Sequence, residues 1–316
     1  MKKILFIIDK IELKYFEFNK LVTNFWLIKD FLDKNNQVYI TTIPNLLLKN
    51  NIAFTNCFET FSQDDNIFYK NSLLQFEINS FDLVLFRPDP PVDIDYINAT
   101  YIFDFVSTNV INSPKAIRDF NEKLHSLYFK EYMTNTLVSS SLQEIENFLN
   151  QYKQIVLKPL NKCFGSGVMY LYQGDPNTRT IINTLTNNET TLVMVQEFLP
   201  NVKNGDTRVL TLGDKVLPYC VKKLPTGDDF KFNTHQDNFL VKSEFSKNDL
   251  EYFTPIAKKL NDMGIKMAGL DVIDNKIIEI NVTSPCYFIK EINAIYDINL
   301  VDEITDYLLT HNLLSL

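Results

Sequence analysis

The sequence predicts a mixed α/β and α+β chain. An N-terminal α/β domain on an open, mostly parallel sheet leads into a hairpin-rich α+β half. Three observations carry this expectation. The first third alternates short apolar runs with a segment of helical apolar spacing. A proline cluster, "RPDPP" at Arg87 to Pro91, must leave the sheet, because proline removes ladder donors. Beyond it, strand-like runs come in pairs around tight turns.

In chain order, "KILFII" near the start is a buried strand. Leu21, Phe25, Ile28 and Leu32 share one side of a helix over about residues 18–32. "QVYITT", "FDLVLFR" and "TNVIN" are further strands of the first sheet. The later half reads as a strand "QIVLKPL", a loop "NKCFGSG" and strands "VMYLY" and "TLVMVQEFL". "DTRVLTLGDKVLPYCVKKL" is a hairpin turning at "LGDK". "KNDLEYFTPIAKKLNDMG" is one amphipathic helix ending at Gly264. "MAGLDVIDNKIIEINV" is a second hairpin, and residues 301–313 form a closing helix.

Composition narrows the function classes. At 316 residues, with 45% hydrophobic and 22% charged, the chain fits a soluble globular protein of two or three units. A net charge of -8 argues against nucleic-acid backbone binding as its main work. No run is long enough for a membrane span, and the apolar start is too short for a secretory leader. Cys57, Cys163, Cys220 and Cys286 form no CxxC pair, and only three histidines are present, so a reduced cytoplasmic protein without structural zinc is expected.

The chemistry concentrates in a few places. A three-residue turn at Asp274 to Lys276 would pair Ile273 with Ile277 and set Asp271 opposite Glu279. Like charges so placed repel. With Asn281 they offer hard oxygen ligands suited to Mg²⁺, or else they form a solvated acidic edge. Lys158, ending an apolar strand, either partners an anion or snorkels to the surface. Gly165, Ser166 and Gly167 allow close backbone approach to an anion, or make a tight turn. Lys123 sits at an expected helix start, where most lysines are solvated. Glu197 and Leu199 in "VQEFLP" end a strand that could offer backbone groups to a flat heterocycle. Arg208 is either a surface ion pair with Asp206 or a cation aimed at developing charge. Arg87 stands where open sheets bind ligands and is a candidate for a carboxylate.

Taken in order, "LFRPDPPVDIDYINATYI", "RDFNEKL", "VLKPL", "QEFLP", "GDTRVL", "LPYC", "GLDVI" and "EINVTSP" resemble prokaryotic glutathione synthetase, an ATP-grasp carbon–nitrogen ligase family. The resemblance runs from about residue 4 to the C-terminus. It implies an N-terminal α/β domain (1–122), an ATP-grasp lid subdomain (123–200) and a C-terminal catalytic and metal subdomain (201–316). It implies ATP between two antiparallel sheets, with Mg²⁺ or Mn²⁺. By that likeness Lys123, Lys158 and the Gly165–Ser166–Gly167 loop contact phosphates, and Glu197 and Leu199 read adenine. Asp271, Glu279 and Asn281 hold the metal, and Arg208 lies near the transferring groups. Thr283 and Ser284 lead toward the acceptor pocket. The implied reaction joins γ-glutamylcysteine to glycine through an acyl phosphate, in a homo-oligomer (dimer or tetramer).

The likeness weakens at the lid, "LPTGDDFKFNTHQDNFL". Lys231 stands where the family has Arg, Asn233 is retained, and Asp237 and Asn238 replace paired glycines. Phe164 replaces a glycine. "CYFIKEI" has one extra residue and Lys290 for an Arg. Two other functions follow from these departures: a ligase for another carboxylate and amine, or a nucleotide-binding protein with little ligase activity.

Overall fold

The chain is described by a computed structural model covering residues 1–9, 22–163, 165–225 and 240–310. The described strands form three sheets of eight, four and six strands. The first contains β1 (Lys3–Ile8), β2 (Gln37–Thr42), β3 (Leu46–Lys49), β4 (Ile52–Gln63), β5 (Asn66–Tyr69), β6 (Leu74–Glu77), β7 (Leu83–Phe86) and β8 (Val110–Ile111). β1 runs parallel to β2 and β7, and β7 parallel to β8. Ile4 to Ile7 are wholly buried, as a parallel strand covered on both faces requires. The long β4 adds an antiparallel wing, pairing with β2, β3, β5 and β6. The sequence reading passed over β4, although Ala53, Thr55 and Cys57 alternate inward along it.

The second sheet holds β9 (Thr136–Ser139), β10 (Gln154–Pro159), β11 (Met169–Tyr172) and β12 (Val193–Glu197), in the order β11-β10-β12-β9, all antiparallel. Its two faces divide by the period of two. Ile155, Leu157, Val193 and Val195 pack under helices Leu142–Tyr152 and Thr178–Leu185. Val156, Lys158 and Gln196 line a cavity.

The third sheet holds β13 (Asp206–Leu212), β14 (Lys215–Val216), β15 (Val221–Lys223), β16 (Leu240–Lys242), β17 (Met267–Ile273) and β18 (Lys276–Asn281). Val209, Ala268, Leu270 and Val272 pack against Phe253, Ile256 and Leu260 on one face. Leu210, Leu212 and Met267, on the other face, join the core of the first sheet. Asn112 fastens this contact. Its Nδ2 donates to the carbonyls of Met267 and Val282, each at 2.7 Å, and its Oδ1 accepts from the N–H groups of Lys266 and Met267. Helix Leu300–Thr310 returns to helix Thr23–Asp33, where Lys34 meets Asp302 and Asp306 at 2.7 and 2.6 Å.

Several expectations change in detail. The first helix is described from Thr23, and Leu21 lies outside the described residues. The expected single helix from Lys247 is two, Lys247–Glu251 and Thr254–Asp262, because Pro255 can open a helix but not continue one. The strand returning from "LGDK" is interrupted after Val216 and resumes at Val221, which pairs back to Arg208. The closing helix is described to Thr310.

Candidate functional site

A cavity of about 570 Å³ lies between the second and third sheets, with residues of the first closing one end. Its floor is the hairpin of β17 and β18. The sequence reading placed Asp271 opposite Glu279, and that pairing holds. The route to it differs. The turn has two residues, Asp274 and Asn275, at φ 51° and 60°, and Ile273 pairs with Lys276. Asp and Asn tolerate this left-handed pair, which suits the twist of a tight hairpin. A bulge between Asp271 and Val272 then takes up one residue, Ile278, on β18. Ile277 and Ile280 can therefore both face the core, while Glu279 and Asn281 both line the cavity. The Ile278 carbonyl accepts from Lys158 Nζ at 3.1 Å.

Neither opposed carboxylate is an acidic edge. Asp271 is buried and receives four donors: Arg208 Nε (2.7 Å) and Lys223 Nζ (2.9 Å) on Oδ1, and Arg208 Nη2 (3.2 Å) and Asn281 Nδ2 (3.1 Å) on Oδ2. A carboxylate has about four acceptor sites, so Asp271 is saturated. Burial opposes its charge, but Arg208 and Lys223 outweigh burial and hold the carboxyl well below the usual range. Arg208 is correspondingly a buried cation and not a surface ion pair. Burial would lower its pKa, and Asp271 raises it instead. Its Nη1 donates to the Cys286 carbonyl at 3.1 Å, leaving one N–H on each terminal nitrogen. Lys223 also meets Asp206 at 2.6 Å. Asp206 is pushed up to about 6 by burial, its Lys223 contact notwithstanding, and its Oδ1 has no partner among the described residues.

Glu279 meets Lys123 Nζ at 2.9 Å. Lys123 is buried, not solvated at a helix start, and also donates to the Lys162 carbonyl at 2.6 Å. Lys158 is buried as well, so it does not snorkel. Burial pulls its pKa down to about 8, Glu279 pushes up against this, and Lys123 adds to the fall. Two buried lysines thus line one cavity, an arrangement that calls for a polyanion.

For a divalent cation the donor set fits in part. Asn281 turns Nδ2 toward Gly269 and Asp271, which leaves its Oδ1 for a ligand. Glu279 keeps one oxygen outside its Lys123 pair. Asp271 can join only by giving up one of its four donors.

A family model for the prokaryotic glutathione synthetase ATP-grasp domain matches residues 122–297, and one for the N-terminal domain of the same family matches residues 2–118. The chain belongs to the prokaryotic glutathione synthetase family. The glutathione synthetase of Vibrio vulnificus strain YJ016 is 36% identical over 248 residues, covering 77% of this chain and 78% of that one. That of Neisseria meningitidis serogroup A is 33% identical, covering 84% and 86%. Among solved structures, D-cycloserine synthetase DcsG superposes with a TM-score of 0.68 at 13% identity, covering 98% and 99%. At that identity it shows a shared fold. Family membership makes the chain an ATP-dependent ligase of glutathione synthesis.

Within this glutathione synthetase family member, the remaining candidates fall as follows. Gly165 and Gly167 have φ 68° and 73°, and Ser166 and Val168 N–H groups close successive turns onto Cys163 and Gly165. A Cβ on Gly167 would meet Pro159 Cγ at 3.0 Å, so the loop folds tightly onto the Lys158 strand. Glu197 turns its carboxylate away to Asn135 (2.8 Å) and Thr134 (3.1 Å), which fixes the strand end. The Leu199 N–H donates to no described group. Arg87 lines the cavity but is partly engaged, by Asn24 Oδ1 at 2.6 Å and the Pro285 carbonyl at 3.0 Å. Thr283 is bound to Glu122, and the Ser284 hydroxyl donates to Asp89. Lys231, Asn233, Asp237, Asn238 and Phe164 lie outside the described residues. Lys290 is exposed and does not line the cavity.

Sequence reasoning missed Lys223 and Glu122. Glu122 Oε1 accepts from the Val282 and Thr283 N–H groups at 2.6 and 3.0 Å, pinning "EINVTSP" as it leaves the sheet. Burial and then Glu279 raise its pKa. The one signal for Lys223 was its position in β15, whose register with Asp206 could not be read locally.

Proposed function

We propose that this chain transfers the γ-phosphoryl group of ATP to the carboxylate of γ-glutamylcysteine, and that the glycine amine then displaces phosphate from the acyl phosphate to give glutathione. The observation that carries this reading is the buried Lys123–Lys158 pair facing the saturated Asp271–Arg208–Lys223 cluster across one cavity. Lys123 and Lys158 take the phosphate oxygens, with the Gly165–Ser166–Gly167 loop closing over them. Glu197 and Leu199 receive adenine through the backbone.

Glu279 and Asn281 would hold Mg²⁺, with Asp271 available to it only at the expense of one of its four donors. Mn²⁺ would suit the same oxygens. When bound, the cation neutralises phosphate charge and orients the γ-phosphoryl group. The solved relative PsnB, an ATP-grasp ligase, carries Mg and ADP, which supports ATP and a divalent metal here.

Arg208, locked by Asp271 and Cys286, directs its remaining N–H groups at the oxyanion formed when the amine attacks. Arg87, Thr283 and Ser284 bound the substrate end. By the family likeness, Lys231 and Asn233 serve catalysis by helping to keep water from the acyl phosphate. Units 1–122, 123–200 and 201–316 each contribute one wall. A cytoplasmic homo-oligomer, dimer or tetramer, acting on these small molecules and on neither nucleic acid nor membrane, completes the reading. Among the described residues no helix is long and apolar enough to cross a membrane.

Coupled ADP release is the test. It should require γ-glutamylcysteine and glycine together, each omission abolishing turnover. Equal turnover with another acyl and amine pair, and none with these, would refute the substrate assignment.

A further inference from the structure

Glu291 differs from every other acid that lines the cavity. Asp271 and Glu279 are bound by cations. Asp206 holds Lys223 with one oxygen, and Glu122 accepts from the Val282 and Thr283 backbone. Asp89 accepts from Ser284, and Glu197 from Thr134 and Asn135. Glu291 makes no ion pair and no hydrogen bond among the described residues, and its Oε2 is buried without a partner. It stands in the first turn of helix Ile289–Tyr296. A favourable helix dipole would explain a Glu there, but an exposed carboxylate gains the same benefit with no burial cost.

The opposite imbalance lies nearby along the chain. Arg87 is 3% exposed and forms no ion pair among the described residues. Its hydrogen bonds to Asn24 and the Pro285 carbonyl are to neutral oxygens. Pro285 leads through Cys286, whose carbonyl is held by Arg208, into the helix that bears Glu291. One cavity therefore carries a buried guanidinium without an ion pair and a half-buried carboxylate whose Oε2 is shielded and without a partner among the described residues, two opposite charges that a zwitterionic ligand would compensate.

We infer that Glu291 reads the ammonium of a zwitterionic α-amino-acid group whose carboxylate Arg87 takes. The inference rests on the ligase reading above and adds a specificity-determining residue to it. Two substrates present this chemistry: the γ-glutamyl end of the donor, and the glycine acceptor.

The experiment is steady-state kinetics of Glu291→Gln, an isosteric change, with ATP, γ-glutamylcysteine and glycine titrated separately. KM for one of the two amino-acid substrates should rise by about 10- to 100-fold, the loss expected for one hydrogen bond to a charged group. KM for ATP should stay within about twofold, because the proposed adenine and phosphate contacts do not include Glu291. The substrate affected identifies the source. If it is the donor, the wild-type protein should discriminate against N-glutarylcysteine, which lacks the ammonium, by a similar factor, and the variant should not. Unchanged KM for both amino-acid substrates overturns the inference. So does an equal rise for all three substrates with a lowered thermal midpoint, which would mark a merely structural role. A wild-type protein that released no ADP with this substrate pair would instead sink the ligase reading, so the two failures are distinguishable.

Discussion

Replacing Lys158 with methionine should stabilise the ligand-free protein while removing its grip on ATP. Lys158 is buried and its pKa is near 8, against an ordinary 10.5. At neutral pH the fold therefore bears the cost of a desolvated ammonium, about 3 kcal/mol at 1.36 kcal/mol per pKa unit. Methionine has a similar reach and fills the space without charge. The Ile278 carbonyl loses its 3.1 Å donor, a cost of about 1 kcal/mol. Glu279 loses a favourable neighbour but keeps Lys123 at 2.9 Å. The net expectation is a gain of about 1–2 kcal/mol at pH 7, seen as a thermal midpoint raised by a few degrees.

The pH dependence fixes the cause. The folded pKa is depressed, so between about 8 and 10.5 the unfolded chain binds more protons and wild-type stability rises with pH. The variant lacks this rise, so the difference between the two should vanish near pH 9 and reverse by about pH 10.5, where the variant is left only with the lost hydrogen bond to Ile278. Millimolar ATP with Mg²⁺ should raise the wild-type midpoint through binding linkage and leave the variant's almost unmoved. Thermal denaturation from pH 7 to 10.5, with and without nucleotide, measures all of this. A variant less stable than wild type at pH 7, or one that ATP protects equally well, would refute the reasoning.

Three further outcomes follow from the same geometry. Glu279→Gln should fold normally and lose most Mg²⁺-dependent ADP release, read by titrating the metal. Full activity would remove Glu279 from the ligand set. Arg208→Ala should cost about 3–5 kcal/mol, because it strips two of four donors from buried Asp271, and denaturant unfolding would register it. A loss under 1 kcal/mol would mean that Lys223 and Asn281 suffice. Asn112→Ala leaves two carbonyls and two N–H groups without their partner at the contact of the first and third sheets. It should cost about 3 kcal/mol or more and speed amide exchange at Met267 and Val282, which hydrogen-exchange mass spectrometry would detect.

Much of this protein is written locally. The apolar runs of β1 and β10 and the ordered motifs from "RPDPP" to "EINVTSP" could all be read from neighbouring residues, because strand periodicity and turn chemistry are short-range properties. The opposition of Asp271 and Glu279 was legible too, but its mechanism was not. A three-residue turn and a two-residue turn with a bulge bring the same pair together, and only packing of both Ile277 and Ile280 into the core selects the second.

Burial of charge was the part that lay beyond the sequence. Lys123, Lys158, Arg208 and Lys223 look like ordinary solvated cations when taken singly. Their environment is set by partners far along the chain: Arg208 meets Asp271 across 63 residues, and Lys158 meets Ile278 across 120. Desolvation and ion pairing depend on which surfaces come together, and no local pattern encodes that. The sequence by itself determined the family, the sheet-forming segments and the residues offered for chemistry. The tertiary structure decided which of them are saturated, as Asp271 is, and which keep donors to spare, as Arg208 does.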